Sequence, residues 1–318
     1  MTVSRNFRFG TAIQASSRFD LIDQIRRVEQ LGYDAVTVND HVSMPRWGPI
    51  SMLAAVAALS SSLSLSSTVF GNDFRHPALL ANEAATIDLI SDGRLELGIG
   101  TGWWEPDYAQ AGIPFEAPGT RVSRLIEAIH VMKGLFSDEP CTFSGKHYTI
   151  RNLNGMPKPI QRPHPRILIG GGGKRMLSLA AREANIVSIN PTTKDGTMDF
   201  QTYSPDAFDQ KVEWIRQAAG TRFDELELHS MLFGVIITDD QQQAADSWIR
   251  QVESMVNAPI GLSVEDVLAS PYILMGTVDQ MVAKLEFCRD KYGVSYFTTA
   301  SMISMDILGP VIAQIKGK

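Results

Sequence analysis

Two hydrophobic periods alternate along this chain. Short apolar runs that suit buried strands are each followed by a longer segment whose apolar residues recur three and four apart, the spacing of an amphipathic helix. "FRFGTAI" reads as a strand. "FDLIDQIRRVEQLG" reads as a helix, with Leu21, Ile25 and Val28 on one face and Gly32 as its stop. The unit then recurs as "AVTVN" with "SMLAAVAALS", "LSLSSTVF" with "PALLANEAATIDLIS", "RLELGIG" with "RVSRLIEAIHVMKGLF", and "RILIG" with "RMLSLAAREA". Three more follow: "IVSIN" with "PDAFDQKVEWIRQAA"; "LELHSMLFGVIIT" with the helices "QQQAADSWIRQVESMV" and "TVDQMVAKLEFCRDKYG"; and "SYFTTA" with "DILGPVIAQIK". One antiparallel hairpin, "CTFSGKHYTI", is expected around Ser144-Gly145.

Strands that alternate with helices imply parallel pairing through right-handed crossovers. About eight such units fit an α/β (β/α)8 TIM barrel better than an open doubly wound sheet. Insertions are expected at residues 103–119, 138–163 and 191–204, at or near the C-terminal ends of strands, where a barrel builds its site. No low-complexity linker or internal repeat divides the sequence, so residues 1–318 are expected to form one barrel domain.

Composition changes this picture little. The chain is 44 % apolar and 20 % charged, ordinary for a globular protein with a large core, and its net charge of −6 argues against nucleic acid as a partner. "MTVSRNFRFG" has no apolar leader segment, and "ISMLAAVAALSSSLSLSSTVF" is too interrupted by serine to span a membrane. Two distant cysteines, Cys141 and Cys288, lie outside any metal or redox spacing and suit a reducing, cytoplasmic compartment.

Four segments could carry chemistry. "TVNDHV" places Asp40 and His41 just past a strand, where histidine can serve as acid, base or hydrogen-bond donor, or where the pair simply orients a loop. "STVFGNDFRHP" offers Gly71 for close backbone approach and Asn72 and Asp73 as polar atoms; Arg75 reads as structural, bonding to neighbouring carboxylates or carbonyls. In "LELGIGTGWWEPDY", Gly98, Gly100 and Gly102 alternate, which clears one face for something flat or charged. Trp103 and Trp104 then wall a substrate pocket or pack beneath the next loop.

The fourth segment is "RILIGGGGKRM". A strand that runs into glycines at a helix start presents free N–H groups and the positive end of the helix dipole to an anion, and Lys174 and Arg175 add charge. Lys174 is followed by Arg175, which breaks the Walker A pattern. The six histidines lack H-x-x-x-H and H-E-x-x-H spacing, so no metal is expected, and no G-x-S-x-G elbow occurs. The chemistry then falls to a phosphate-bearing organic cofactor.

Together "LGYDAVTVNDH", "RHPALLANEAATIDLISDGRLELGIGTGW", "GIPFEAPGTRVSRLIEAI", "PRILIGGGGKRMLSLAAREANIV" and "MGTVDQMVAKL" with "YGVSYF" resemble the bacterial luciferase-like flavin and deazaflavin oxidoreductases. The resemblance implies a (β/α)8 barrel and points to the branch that uses coenzyme F420, a hydride-carrying deazaflavin. It implies Asp40 and His41 beside the ring, with His41 at the hydride-transfer carbon. It implies a non-prolyl cis peptide at Thr68 and Val69, Gly71 and Asn72 at the pyrimidine edge, and Gly100, Thr101 and Gly102 along the ring or side chain. Gly170, Gly171, Gly172 and Gly173 would hold the cofactor phosphate, with Asn190 close by.

The family's sugar-phosphate dehydrogenases carry a glutamate directly after Gly-Thr-Gly. Here that residue is Trp103, and the nearest carboxylate is Glu105, which points away from sugar phosphates and toward a more apolar substrate. The expected function is an F420-dependent oxidoreductase acting on C=C, C=N or alcohol/carbonyl groups of a small molecule. The alternative is an FMN-dependent monooxygenase that uses O2 and reduced flavin from a partner reductase. Relatives that dimerise imply a homodimer.

Overall fold

The computed structural model describes residues 5–194 and 196–316; the first four residues of "MTVSRNFRFG" lie outside this range. Eight strands form the core: β1 (Arg8–Ala12), β2 (Ala35–Val38), β3 (Ser64–Ser67), β4 (Leu95–Gly100), β5 (Arg166–Gly171), β6 (Ile186–Ile189), β7 (Glu227–Leu232) and β8 (Val294–Thr299). Each pairs in parallel with the next, and the β1–β8 ladder, Arg8 opposite Tyr296, closes the ring. Eight helices return the chain: α1 (Arg18–Gln30), α2 (Pro49–Leu59), α3 (Pro77–Ile90), α4 (Pro118–Phe136), α5 (Lys174–Glu183), α6 (Pro205–Ala219), α7 (Val278–Tyr292) and α8 (Gly309–Ile315). This is a closed (β/α)8 barrel.

Local chemistry explains where the helices begin. Ser17 caps α1 by accepting from the Asp20 amide, and Thr277 and Gln280 form a reciprocal capping box on α7. Proline occupies the first turn of α2, α3, α4, α6 and α8, where no intrahelical donor is lost. Helix α1 buries Leu21, Ile25 and Val28 against the barrel, at roughly 1.5–3 kcal/mol for each side chain. Replacing Val28 by aspartate would place an unpaired charge on that face.

The lumen is layered. At its N-terminal end Arg8 pairs with Glu96 at 2.5 Å and Glu227 at 2.8 Å, Arg166 pairs with Glu227 at 2.8 Å, and the Tyr296 hydroxyl donates to Glu96 at 3.1 Å. Burial alone would raise the Glu227 carboxyl, but Arg8 and Arg166 outweigh it and hold the group below the usual carboxylate range. Above this floor Ala35, Leu168, Ile186 and Tyr296, from four different strands, meet as a small apolar plug with Val69 against it. His229 also lies in the barrel wall, fully buried, with its ring nitrogens at 2.8 Å from Ser188 Oγ and 2.9 Å from Thr298 Oγ1.

Three sequence expectations need correction. "LSLSSTVF" is not one continuous strand: β3 stops at Ser67, a cis peptide joins Thr68 to Val69, and pairing with β4 resumes at Phe70–Gly71. "LELHSMLFGVIIT" also divides, because Gly234–Ile237 leaves the barrel to pair in parallel with the unforeseen strand Ile273–Gly276. Finally, the 138–163 insertion joins α4 to β5 and so enters the N-terminal, not the C-terminal, end of a strand. Its hairpin, Cys141–Ser144 with Thr149–Leu153, climbs back along α4. The Glu127 carboxylate accepts the amides of Lys146, His147 and Tyr148, and the hairpin tip thereby reaches the mouth.

Candidate active site

The residue after β2 starts the site. Asn39 Nδ2 donates to the Thr68 carbonyl at 3.0 Å, beside the Thr68–Val69 cis bond that the resemblance implied. Asp40 is buried and committed to protein partners. It accepts the Gly71 amide at 2.9 Å and both Arg75 terminal nitrogens at 2.5 and 3.1 Å. Arg75 also lies 5.1 Å over the Phe70 ring. The pair pins the end of β3 to the loop after β2, which gives Arg75 the structural role read from its sequence position.

His41 follows, and its Nδ1 lies 2.6 Å from Asp107 Oδ2. The other carboxylate oxygen accepts the Ser43 amide at 2.8 Å and its hydroxyl at 2.6 Å. Asp107 is 2 % exposed, so burial alone would raise its pKa; the Ser43 and His41 bonds outweigh that and lower it. Asp107 is therefore an ionised, acceptor-only partner. It belongs to a short helix, Glu105–Ala111, that opens just after Trp104. Glu105, the carboxylate noted in the sequence, is exposed.

Alternating glycines do clear space, and the protein's own atoms fill it. A Cβ on Gly98 would collide with the Ser67 carbonyl, one on Gly100 would lie 2.7 Å from Val69 Cγ2, and one on Gly102 would collide with the Tyr108 hydroxyl. Gly102 also has φ +72°, which favours glycine. Tyr108 donates to the Thr101 carbonyl at 3.0 Å, while Arg121, stacked 4.1 Å over Phe115, donates to the carbonyls of Thr101 and Gly102. The turn is thus fixed from below.

Trp103 presents its ring edge-on to His41, centroids 6.0 Å apart, and Trp104 tilts against Trp103 at 5.3 Å. Both are half-buried. Val42, Trp47 and Met302 on neighbouring loops expose apolar side chains, and Arg46 ties two of these loops by donating to Ser301 Oγ at 3.0 Å. Asn72, buried next to Gly71, donates to the Tyr148 hydroxyl at 3.3 Å, which is where the climbing hairpin meets the mouth.

Across the mouth, Gly170 and Gly171 end β5 and Gly173 begins α5. A Cβ on Gly170 would stand 3.2 Å from Asn190 Nδ2, whose amide donates to Ser188 Oγ at 3.1 Å. One on Gly171 would lie 2.7 Å from Met176 Cβ; one on Gly172 would lie 2.6 Å from the Pro191 carbonyl oxygen and 2.7 Å from Thr192 Cα. Gly173 meets nothing within 4 Å and gives α5 no side-chain cap, which leaves its first-turn amides without an intrahelical acceptor. Arg175, expected to add charge here, is instead spent on α4, donating to the Gly119 carbonyl and Ser123 Oγ; Lys174 is exposed.

An uncapped helix start, open at Gly173 and built of neutral N–H donors beside Lys174, fits a phosphate group. Such a group is common to F420 and FMN, so the fit does not discriminate between them. No group of three or more His, Cys, Asp or Glu is arranged to hold a metal among the described residues.

Asp40, His41, Thr68, Val69, Gly71, Asn72, the Gly100–Trp104 turn, Gly170–Lys174 and Asn190 thus all gather at the C-terminal ends of β2–β6. Asp107, Ser43 and Lys211 escaped the sequence reading. Lys211, 2 % exposed, donates to the Asn190 carbonyl at 2.9 Å, the Thr202 carbonyl at 3.2 Å and the Tyr272 hydroxyl at 3.1 Å. Burial pulls its ammonium down to about 7. The acidic first turn after Trp-Trp, "EPD", was the available signal for Asp107; Lys211 left none beyond a charge on the buried face of a helix.

Fold and mouth define a class: a (β/α)8 barrel whose C-terminal face carries both an uncapped helix start and a histidine–aspartate pair. The chain belongs to the luciferase-like monooxygenase family, whose model matches residues 2–259. It is 28 % identical over 175 residues to an FMNH2-dependent dimethylsulfone monooxygenase of Pseudomonas putida, covering 55 % of this chain and 45 % of the relative. It is 32 % identical over 175 residues to an F420-dependent glucose-6-phosphate dehydrogenase of Intrasporangium calvum, covering 52 % of each. The chain spans about half the length of these curated relatives. The coenzyme F420-dependent tetrahydromethanopterin reductase of Methanopyrus kandleri superposes with a TM-score of 0.76 over 98 % of this chain and all of that one. At 19 % identity that match concerns the fold alone. Relatives thus include users of both cofactors. Among the described residues no helix is long and apolar enough to cross a membrane.

Proposed function

We propose that this chain is a coenzyme F420-dependent oxidoreductase that moves a hydride between the deazaflavin and a small organic substrate. The observation that carries the reading is the opposition, across one barrel mouth, of the uncapped α5 start and the His41–Asp107 pair. One holds a phosphate; the other handles a proton. When bound, the cofactor supplies the hydride chemistry.

The chain's own residues do the rest. Amides from Gly171 to Lys174 hold the phosphate, and Asn190, held through its carbonyl by Lys211, borders it. Gly71 and Asn72 would border the ring, with Asp40 and Arg75 keeping that backbone in place. His41 exchanges a proton with the substrate, while Trp103 and Trp104 orient it and exclude water. The exposed apolar rim of Val42, Trp47 and Met302 suits a substrate less polar than a sugar phosphate.

The second reading, an FMN-dependent monooxygenase supplied with reduced flavin by a partner reductase, rests on the similarity to the dimethylsulfone enzyme. We further propose one barrel domain acting as a homodimer in the cytoplasm, where the buried free thiols of Cys141 and Cys288 stay reduced. Fluorescence titration of the purified protein with F420 and with FMN tests the choice. Micromolar binding of F420 is expected; micromolar binding of FMN with none of F420 overturns it.

A further inference from the structure

We propose that Asp107 is a positioning residue that fixes the tautomer of His41, so that Nε2 is the proton-accepting atom at the barrel mouth. The inference rests on the reading of His41 as the proton-handling group of this site. It goes beyond that reading by naming which nitrogen works and what compels it.

Asp107 Oδ1 is occupied by two donors from one residue, the Ser43 amide at 2.8 Å and hydroxyl at 2.6 Å. Only Oδ2 is left for the imidazole, at 2.6 Å from Nδ1. A carboxylate held ionised accepts and cannot donate. Nδ1 must then carry the ring proton, and a neutral imidazole with Nδ1–H leaves a bare lone pair on Nε2. Nε2 has no hydrogen-bond partner among the described residues, and Trp103 meets the imidazole edge-to-face rather than through a polar atom. In the oxidising direction a substrate O–H or N–H bond breaks, its electron pair moves into the new C=O or C=N bond as the adjacent carbon gives up its hydride, and the proton bonds to the Nε2 lone pair; the resulting imidazolium stays paired with Asp107. In the reverse direction the same N–H bond breaks and the proton returns to the substrate.

Neither neighbouring carboxylate is placed to do this. Glu105, two residues earlier, is exposed, and Asp40, adjacent to His41, is consumed by Arg75 and Gly71. The loop after β2 and the short helix after β4 are therefore joined functionally through one carboxylate, and Ser43 sets its orientation from both main chain and side chain.

Nitrogen-15 NMR on histidine-labelled, cofactor-free protein at about pH 9, where imidazoles are neutral, reads the tautomer directly. The His41 signal is assigned by its loss in His41→Gln. Wild type is expected to show protonated Nδ1 and bare Nε2; the opposite tautomer at the signal lost in His41→Gln, or in His41→Asn should the first variant fail to fold, overturns the proposal. Asp107→Asn, whose amide can donate to Nδ1, is expected to shift His41 toward protonated Nε2, and an unchanged spectrum in a folded variant overturns it. In turnover, Asp107→Asn is expected to lower kcat on the order of 10²-fold or more with a smaller change in KM, and Asp107→Glu to recover part of it. Full kcat in Asp107→Asn overturns it as well. Absence of turnover by wild type with either cofactor would instead overturn the functional reading, while the wild-type spectrum still decides the tautomer.

Discussion

A methyl group added at Gly172 and one added at Gly173 should have opposite consequences, although the two residues are neighbours. At Gly172 the new Cβ would sit 2.6 Å from the Pro191 oxygen and 2.7 Å from Thr192 Cα, both backbone atoms that no rotamer change can move. Forcing such a contact costs about 1–3 kcal/mol, and the reduced freedom of the unfolded chain returns about 0.4–1 kcal/mol. Gly172→Ala should therefore lose roughly 1–2 kcal/mol, seen as a melting temperature lower by about 1.5–3 °C for a chain of this size. At Gly173 the Cβ meets nothing, and φ −92°, ψ 152° is open to any residue. A loss of about 0.5–1 kcal/mol from a poorer N-cap is offset by the unfolded-state gain, so the stability of Gly173→Ala should be unchanged.

Ligand binding reverses the contrast at Gly173. If the phosphate rests on the first-turn amides, a methyl there displaces one charge-assisted hydrogen bond of about 1.5–3 kcal/mol. The Kd for whichever cofactor the wild type binds should then rise about 10- to 100-fold, in a protein that melts normally. Thermal denaturation without ligand and fluorescence titration with ligand separate the two effects. An unchanged Kd in Gly173→Ala would refute the cradle, and a normally stable Gly172→Ala would refute the tight approach of the β5 and β6 loops.

Arg75→Met strands the buried Asp40 carboxylate and should cost about 3–5 kcal/mol, with Asp40→Asn in the same chain recovering much of it; urea denaturation of the four proteins measures the coupling. His229 is pushed down to about 3 by burial, against about 6.5 when unfolded. The unfolded chain thus binds the extra proton between these values, and stability falls as pH drops from 6.5 toward 3, by about 2 kcal/mol at pH 5. Wild type compared with His229→Gln, by denaturation at pH 7 and 5, should show that difference; parallel losses would refute it. Lys211, held near 7 against about 10.5 unfolded, gives the same sign in an alkaline window: stability rises from pH 7 to 10.5 by about 1.4 kcal/mol per unit. Lys211→Met should remove that slope.

Periodicity was enough to find all eight barrel strands, because parallel strands covered by helices read as bare apolar runs. It failed at "LELHSMLFGVIIT", where two apolar strands adjoin with only Phe233 between them and no polar residue marks the exit from the barrel. The glycine run was legible because glycine reports a backbone constraint directly. The G-x-G-x-G turn was legible as a constraint but not as to its cause, since Ser67, Val69 and Tyr108 approach it from other segments. Asp107 shows the same limit. Its partners are 64 and 66 residues away, and only folding makes its carboxylate differ from the exposed one at Glu105.

The layering of the lumen bears on why the site lies where it does. Arg8, Arg166, Glu96 and Glu227 close the floor in a mutually paired network, and breaking one pair would strand a buried charge. The plug above is only Ala35, Leu168, Ile186 and Tyr296, with Val69 at its edge. Higher still the wall turns polar: Thr37, Ser66 and Thr68 carry buried hydroxyls with no protein partner. An apolar filling of that layer would be more stable, since each unsatisfied hydroxyl costs on the order of 1–3 kcal/mol. Sequences break packing rules of this kind at functional sites and compensate elsewhere. Here the departure falls directly beneath the mouth to which His41 and the α5 amides belong.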